Sequence, residues 1–265
     1  MEIPKIIHYC WFGGNPLPEL ALKCIESWKK FFPDYEIKEW NESNYDVNKI
    51  PYTKEAYQAK KYAFVSDYAR FDVLYNYGGI YFDTDVEVIK SFDKIIKNGA
   101  FMGCERNGTE EDTEIQVAPG LGLGCYKEEP LYKEILREYE KSHFIIDNEN
   151  NTTKTVVVFT TELLKSKGLK NSDTTQDIEG ITIYPKEYFA PKDVITKELN
   201  ITNNTYSIHH YDASWAEWYD RRSEVRSKKL QKIFGKKLGG KINSIIYGFQ
   251  KYGFLKNLKR IFKIK

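Results

Sequence analysis

The stretch 62–88, YAFVSDYARFDVLYNYGGIYFDTDVEV, constrains this chain more than any other part of it. From Tyr62 to Asn76 apolar residues recur at helical spacing and carry Asp67 and Arg70 with them. Gly78-Gly79 then closes the helix, glycine being the residue that a left-handed helix end favours. Ile80-Tyr81-Phe82 reads as a short apolar strand, and Asp83-Thr84-Asp85 follows it directly. A helix running through a tight turn into a buried strand is a unit of a layered α/β fold. Residues i and i+2 of a strand point to one side. Asp83 and Asp85, with the backbone turning between them, can therefore hold a hard cation whose open positions accept phosphate oxygens. The pattern points to an enzyme handling a nucleotide-linked or otherwise phosphorylated substrate.

Each part of this segment also has a plainer meaning. Paired aspartates at a strand end serve turns and caps. An Asp and an Arg three apart on a helix are, in isolation, an ordinary surface ion pair contributing under about 1 kcal/mol. The chemical meaning has Arg70 contacting phosphate or sugar oxygens, with Asp67 orienting it or gripping a hydroxyl. What raises Asp83 and Asp85 above the plain meaning is their context, GGIYF immediately before them and an Asp/Arg helix before that.

The remaining elements follow from period and punctuation. Residues 5–12 read as a buried first strand, 19–32 as a helix with Leu20, Leu22, Ile25, Trp28 and Phe32 inward, and 35–40 as a second strand. Strand, helix, strand is a parallel βαβ opening. Residues 52–61 and 129–139 read as helices, and 86–89, 100–104, 181–184 and 205–209 as strands. Residues 155–165 open on a β-branched run and turn helix-like. Residues 148–153 form a polar loop. PGLGLG at 119–124 lacks the dinucleotide-binding glycine spacing and is read as a loop that lets the backbone approach something closely.

Charge divides the chain. Residues 221–265 hold 15 Lys and Arg against one acid, Glu224, a net charge of +14, while the rest carries −12. The expectation is one domain over 1–220 followed by a basic tail over 221–265. In the tail Ile233, Phe234, Leu238, Ile242, Ile245 and Ile246 recur near helical spacing among the lysines, the pattern of a helix lying in an anionic membrane surface. Nucleic acid is not expected as a partner, because nothing else in the chain supports it. No apolar run reaches the roughly 20 residues of a membrane span, and no signal peptide is read at MEIPKIIHYC. Cys10, Cys24, Cys104 and Cys125 form no C-x-x-C pair and are expected to be reduced and buried, as in a cytoplasmic protein. These readings place the protein peripherally on the inner face of the cell membrane.

Two clusters flank the central segment. Trp11, after the first strand, can stack a nucleobase or fill the core, and His8 on the apolar strand is read as a satisfied core histidine. His209-His210-Tyr211-Asp212-Ala213-Ser214-Trp215 ends a late strand with two imidazoles, a hydroxyl and an indole, a set able to complete a metal and diphosphate site or simply a solvated loop.

IPKIIHYCWFGG, KYAFVSDYARFDVLYNYGGIYFDTDVEV and SIHHYDASW, in this order, resemble the glycosyltransferases of family 32, the capsular-polysaccharide and Och1-like sugar transferases, and are similar to the glucosylating domain of the large clostridial toxins. The resemblance implies a GT-A fold: an α/β, Rossmann-like nucleotide-binding domain with a mixed central sheet. It implies a UDP-sugar donor, Mn²⁺ or Mg²⁺, and retention of anomeric configuration. Carried over, Asp83 and Asp85 match the DXD pair, and Asp67 and Arg70 match the pair holding donor sugar and phosphate. Trp11 matches the aromatic at the base, and Ser214 and Trp215 the closing loop. Tyr81 joins the donor-binding residues, and His209 or His210 the metal ligands. A short body with a basic tail looks more like a surface-polysaccharide enzyme, its acceptor a glycan or a polyprenyl-linked oligosaccharide, than like a toxin. The competing readings are a haloacid-dehalogenase-type phosphatase, which also places D-x-D after an apolar strand, and a catalytically silent sugar-nucleotide-binding module.

Overall fold

Three parallel strands open the fold, and their order decides where a ligand can sit. In the computed structural model, described over residues 2–109, 114–144, 155–193, 196–212 and 218–252, β1 (Ile6–Cys10) pairs in parallel with β2 (Glu36–Trp40) on one side and with β3 (Gly79–Tyr81) on the other. The chain reaches β2 through α1 (Glu19–Phe31) and β3 through α2 (Pro51–Gln58) and α3 (Tyr62–Tyr77). The strand order therefore reverses at β1, and the crevice beyond the carboxyl ends of β1 and β3 is the position where open α/β sheets bind ligands.

Beyond β3 come β4 (Val86–Val88), α4 (Asp93–Lys97), β5 (Phe101–Arg106), β6 (Gln116–Val117), β7 (Leu123–Cys125), α5 (Pro130–Glu140) and α6 (Val156–Ser166). Then follow β8 (Gln176–Ile178), β9 (Ile181–Tyr184), a short 3-10 turn at Lys186–Tyr188, β10 (Ser207–His209) and α7 (Trp218–Tyr252). The main sheet runs β2-β1-β3-β7-β5-β9-β8 with β6 beside β5, and β4 and β10 form a separate antiparallel ribbon. β7 is antiparallel to both β3 and β5, and β9 is parallel to β5. Hence β1, β2, β3, β5 and β9 all point one way, and the sheet is mixed, as the GT-A resemblance implies.

The period of two along each strand divides the core. Ile7, Ile80 and Phe101 face a layer with Cys24, Ile25 and Trp28 of α1, while Cys10, Tyr81 and Met102 face α2, α3, α5 and α6. In α1 the buried set is Ala21, Cys24, Ile25 and Trp28, and Leu22, expected inward, is 51% exposed. Position 22 falls off the 21-24-25-28 stripe by one residue, about 100° of helix. The indole of Trp28 donates to the Val86 carbonyl at 2.8 Å and so ties α1 to the ribbon.

His8 is fully buried and satisfied on both ring nitrogens. Trp40 donates its indole N–H to Nδ1 at 3.1 Å, and Nε2 lies 2.9 Å from the Gly78 carbonyl. An indole only donates and a carbonyl only accepts, so the neutral ring carries its proton on Nε2. Burial lowers its pKa to about 4 despite the Gly78 bond, with Lys38 adding to the depression. The four cysteines are free thiols and buried.

The chain separates into two compact units, 1–211 and 212–265. In the second, α7 is interrupted at Gly235, where φ is 76° and ψ 162°. Its two arms fold into a hairpin. Arg226 donates to Asn243 at 2.8 Å and to Gln250 at 3.0 Å, and a Cβ on Gly239 would lie 2.5 Å from the Leu230–Gln231 backbone. Among the described residues no helix is long and apolar enough to cross a membrane.

Candidate active site

α3 is buried on almost every side, through Val65, Tyr68, Ala69, Phe71, Val73 and Leu74, so its two charged residues are carried inside with it. Asp67 and Arg70 are 8% and 4% exposed. This is not the surface pair that their spacing alone permits. Gly78 ends the helix with φ at 66°, and its N–H returns to the Leu74 carbonyl, so β3 starts at once and delivers Asp83 to the Arg70 side chain.

Arg70 is anchored along its whole length. Nε donates to the Ser66 carbonyl at 3.1 Å, Nη2 to Asp67 Oδ1 at 3.0 Å, and Nη2 lies 3.4 Å from Asp83 Oδ1. Its guanidinium stands 5.0 Å from the centre of the Tyr81 ring, and the Tyr81 hydroxyl donates to Asp83 Oδ1 at 3.1 Å. Burial pushes the Asp67 carboxyl up to about 7, with Arg70 pulling against it. Burial opposes the charge on Arg70, but Asp83, Tyr81 and Asp67 more than offset it, so the guanidinium stays charged. A buried cation fixed between two carboxylates at a ligand crevice makes this cluster the candidate site, since a buried ion pair adds little to stability.

Asp85 turns the other way. The Val86 N–H donates to the Asp83 carbonyl at 3.0 Å, which bends the loop, and Asp85 Oδ1 meets His209 Nε2 at 3.0 Å. His209 packs on Tyr211, ring centres 4.2 Å apart. Burial lowers the affinity of His209 for its proton, but the charge and hydrogen bond of Asp85, then Asp83 and Glu105, raise it further. Its Nδ1 is buried without a protein partner, the kind of atom that a ligand or ion completes. His210 takes the opposite direction: its Nε2 lies 2.8 Å from Glu87 Oε2, which also pairs with Lys23 at 2.9 Å. Of the two histidines that the sequence leaves open, His209 is the one at Asp85.

Trp11 stands just past the carboxyl end of β1, half-buried, its indole N–H committed to the Asn15 carbonyl at 2.6 Å. Ser214 and Trp215 lie outside the described residues.

Two residues join the site that the sequence did not single out. The Asp83 N–H donates to the Gly120 carbonyl at 3.0 Å, and a Cβ at position 120 would overlap the Asp83 carboxylate. The close approach expected of the glycine-rich loop is thus to Asp83. Glu105 is the last residue but one of β5, which is parallel to β3, and so stands at the same edge of the sheet. Burial raises its carboxyl while His209 draws it down. Its only signal in the sequence was a strand running two residues further than Cys104.

Asp83, Asp85 and His209 supply carboxylate oxygens and an imidazole, donors that suit Mn²⁺. Among the described residues no three His, Cys, Asp or Glu side chains converge as a ready-made metal cluster. The donors fit an ion held by one or two carboxylates and completed by substrate phosphates.

Residues 18–102 match the family model described as "Glycosyltransferase sugar-binding region containing DXD motif". Inositol phosphoceramide mannosyltransferase 3 of Schizosaccharomyces pombe is 32% identical over 104 residues, which is 38% of this chain and 29% of the relative. Mannosyl phosphorylinositol ceramide synthase CSH1 of Saccharomyces cerevisiae is 26% identical over 151 residues, 54% of this chain and 38% of the relative. The chain thus spans between about a quarter and two fifths of the length of the curated relatives it matches. Among solved structures, the PaToxG glycosyltransferase aligns with a TM-score of 0.41 and 22% identity, covering 63% of this chain and 70% of that one. The Asp83-Thr84-Asp85 loop lies inside the matched region, so this third of the chain is similar to the sugar-binding region of DXD-containing glycosyltransferases.

Proposed function

We propose that the protein moves a hexose from a UDP-sugar to a glycan or lipid-linked oligosaccharide acceptor in surface-polysaccharide synthesis, with Mn²⁺ or Mg²⁺ as cofactor. The observation that carries this reading is the chain Asp67–Arg70–Asp83 at the carboxyl end of β3, a fixed cation between carboxylates where strand order reverses. The relatives' names, mannosyltransferases of inositol phosphoceramide, support a hexose and a lipid-linked acceptor.

Asp83 and Asp85 would hold the ion with the donor diphosphate, and the bound ion supplies Lewis-acid neutralisation of the leaving group. Arg70 places positive charge where negative charge develops on the leaving phosphate, and it needs no rearrangement because Asp67, Ser66 and Tyr81 already fix it. Asp67 orients Arg70 or grips a sugar hydroxyl. The acceptor hydroxyl attacks the anomeric carbon as its bond to the phosphate oxygen breaks. The hydroxyl proton passes to that phosphate on the same face of the sugar, with retention of configuration.

The test is release of free nucleotide from a panel of UDP- and GDP-linked hexoses, with Mn²⁺ and with EDTA, for the native chain and Asp85→Asn. Manganese-dependent release from a UDP-hexose, lost in Asp85→Asn, is the expected result. Release unchanged by EDTA would remove the metal from the reading. Hydrolysis of simple phosphate esters with no nucleotide release would overturn the transferase.

A further inference from the structure

The hairpin of α7 ends in a feature that packing within a soluble unit does not account for. Ile233 and Phe234 immediately precede the Gly235 break, Leu238 follows it, and they are 70%, 49% and 53% exposed. Of the four exposed large apolar side chains among the described residues of α7, these three lie at the tip, and Ile245, 43% exposed, lies on the second arm. Gly235 makes the tip possible, since its φ of 76° is a conformation that side-chain-bearing residues avoid. Gly239 closes it, its bare backbone lying against Leu230 and Gln231.

The charge around the tip names the partner. Residues 228–241 contain six lysines and no acid, and Lys229, Lys232 and Lys241 are exposed. A second copy of the same tip would bring like charges together. A nucleic acid would use the lysines but leave the aliphatic Ile233 and Leu238 without a role. A bilayer bearing anionic lipids uses both, apolar side chains entering the acyl boundary and lysines meeting lipid phosphates, and stable attachment needs two such signals together.

We propose that the tip of this hairpin, Ile233, Phe234 and Leu238 ringed by lysines, inserts into an anionic membrane surface such as the inner leaflet of the cell membrane. The insertion is shallow and tip-first, unlike that of a helix lying flat on one face.

The full-length chain is sedimented with phosphatidylglycerol–phosphatidylcholine vesicles and with phosphatidylcholine alone at 150 mM salt. Binding is expected to the anionic vesicles only. Ile233→Asp with Phe234→Asp should lower it at least about tenfold, and each of Lys229→Gln and Lys232→Gln about fivefold, the contribution of one basic residue near the surface. Phe234→Trp should blue-shift and be quenched by brominated acyl chains. Circular dichroism should be the same for all variants, because the substituted side chains are exposed. Undiminished binding of the double aspartate variant would overturn the proposal. So would an unquenched Trp at position 234, or binding to a DNA duplex that outcompetes the anionic vesicles.

Discussion

Gly120→Ala tests how the carboxylate at position 83 is held. A Cβ at position 120 would overlap Asp83 Oδ2, lie 2.7 Å from Asp83 Cγ and lie 3.2 Å from Arg70 Nη1. The backbone has little room to retreat, because the Gly120 carbonyl already accepts the Asp83 N–H at 3.0 Å. The aspartate must rotate, which breaks its contacts with Tyr81 and Arg70. Losing a hydrogen bond to a charged group removes about 1.5–3 kcal/mol, and inserting a methyl into a packed site costs about 1–3 kcal/mol. The fold should survive with a Tm several degrees lower. Displacing Asp83 from the position shared with Arg70 should lower nucleotide release on the order of 100-fold, comparable to losing one preorganised electrostatic group. The assay is a Mn²⁺ titration of nucleotide release on protein whose circular dichroism matches the native chain. Native activity with an unchanged Mn²⁺ midpoint would refute the idea that the glycine positions Asp83.

Other outcomes are equally specific. Arg70→Lys keeps the charge but not the planar group whose Nε bonds Ser66 while Nη2 faces Asp67 and Asp83, so the initial rate of nucleotide release should fall on the order of 100-fold; a lysine variant above half the native rate would show that the geometry is dispensable. His209→Ala should weaken the Mn²⁺ response about 10–100-fold, the range for groups that support a metal site, whereas His210→Ala, which touches Glu87, should leave it unchanged; the reverse order in the same titration would reassign the two histidines. His8 stays neutral in the fold down to about pH 4, while in the unfolded chain it takes a proton near pH 6.5. The unfolded state therefore binds more protons between those values, and stability should decline as pH falls from 6.5 to 4, by about 3 kcal/mol in all. Urea unfolding of His8→Gln should show a smaller decline over that window, and an identical pH slope would mean that His8 is not responsible.

The parts legible in the sequence were those with a long enough period. β1, α1 and β2 stand where alternation and the Trp28 stripe put them, and the α3–Gly78–β3 junction follows from helix spacing and a glycine pair. β7 was not legible: Leu123–Cys125 is three residues inside a glycine-rich run, and it joins the sheet because Gly124 leaves space for the Phe101 ring. β6 and β8 are as short, and α4 at Asp93–Lys97 is a single turn. The β-branched opening of 155–165 proves helical, since Thr155 caps the helix by accepting from the Val158 N–H and Val156, Thr160 and Leu164 fall on one buried stripe. At the site, spacing put Asp67 and Arg70 on one face, but only packing makes them a buried pair. The choice between His209 and His210 depended on the register of β10 against β4, in which His209 stands opposite Val86.

That register has a mechanical consequence. The backbone of Asp83 is fastened to the Gly120 carbonyl in the loop before β7, while the Asp85 carbonyl accepts the His210 N–H beyond β10. One jaw of the pair belongs to the large sheet and the other to the small ribbon. The gap between the carboxylates is therefore set like that of a caliper, by how the ribbon seats on the sheet, and the Trp28 indole gripping Val86 is its set-screw. A change at Trp28, in the core layer that holds α1, would alter the spacing of the two carboxylates, and with it the ion radius that the proposed metal site tolerates, while leaving both aspartates untouched.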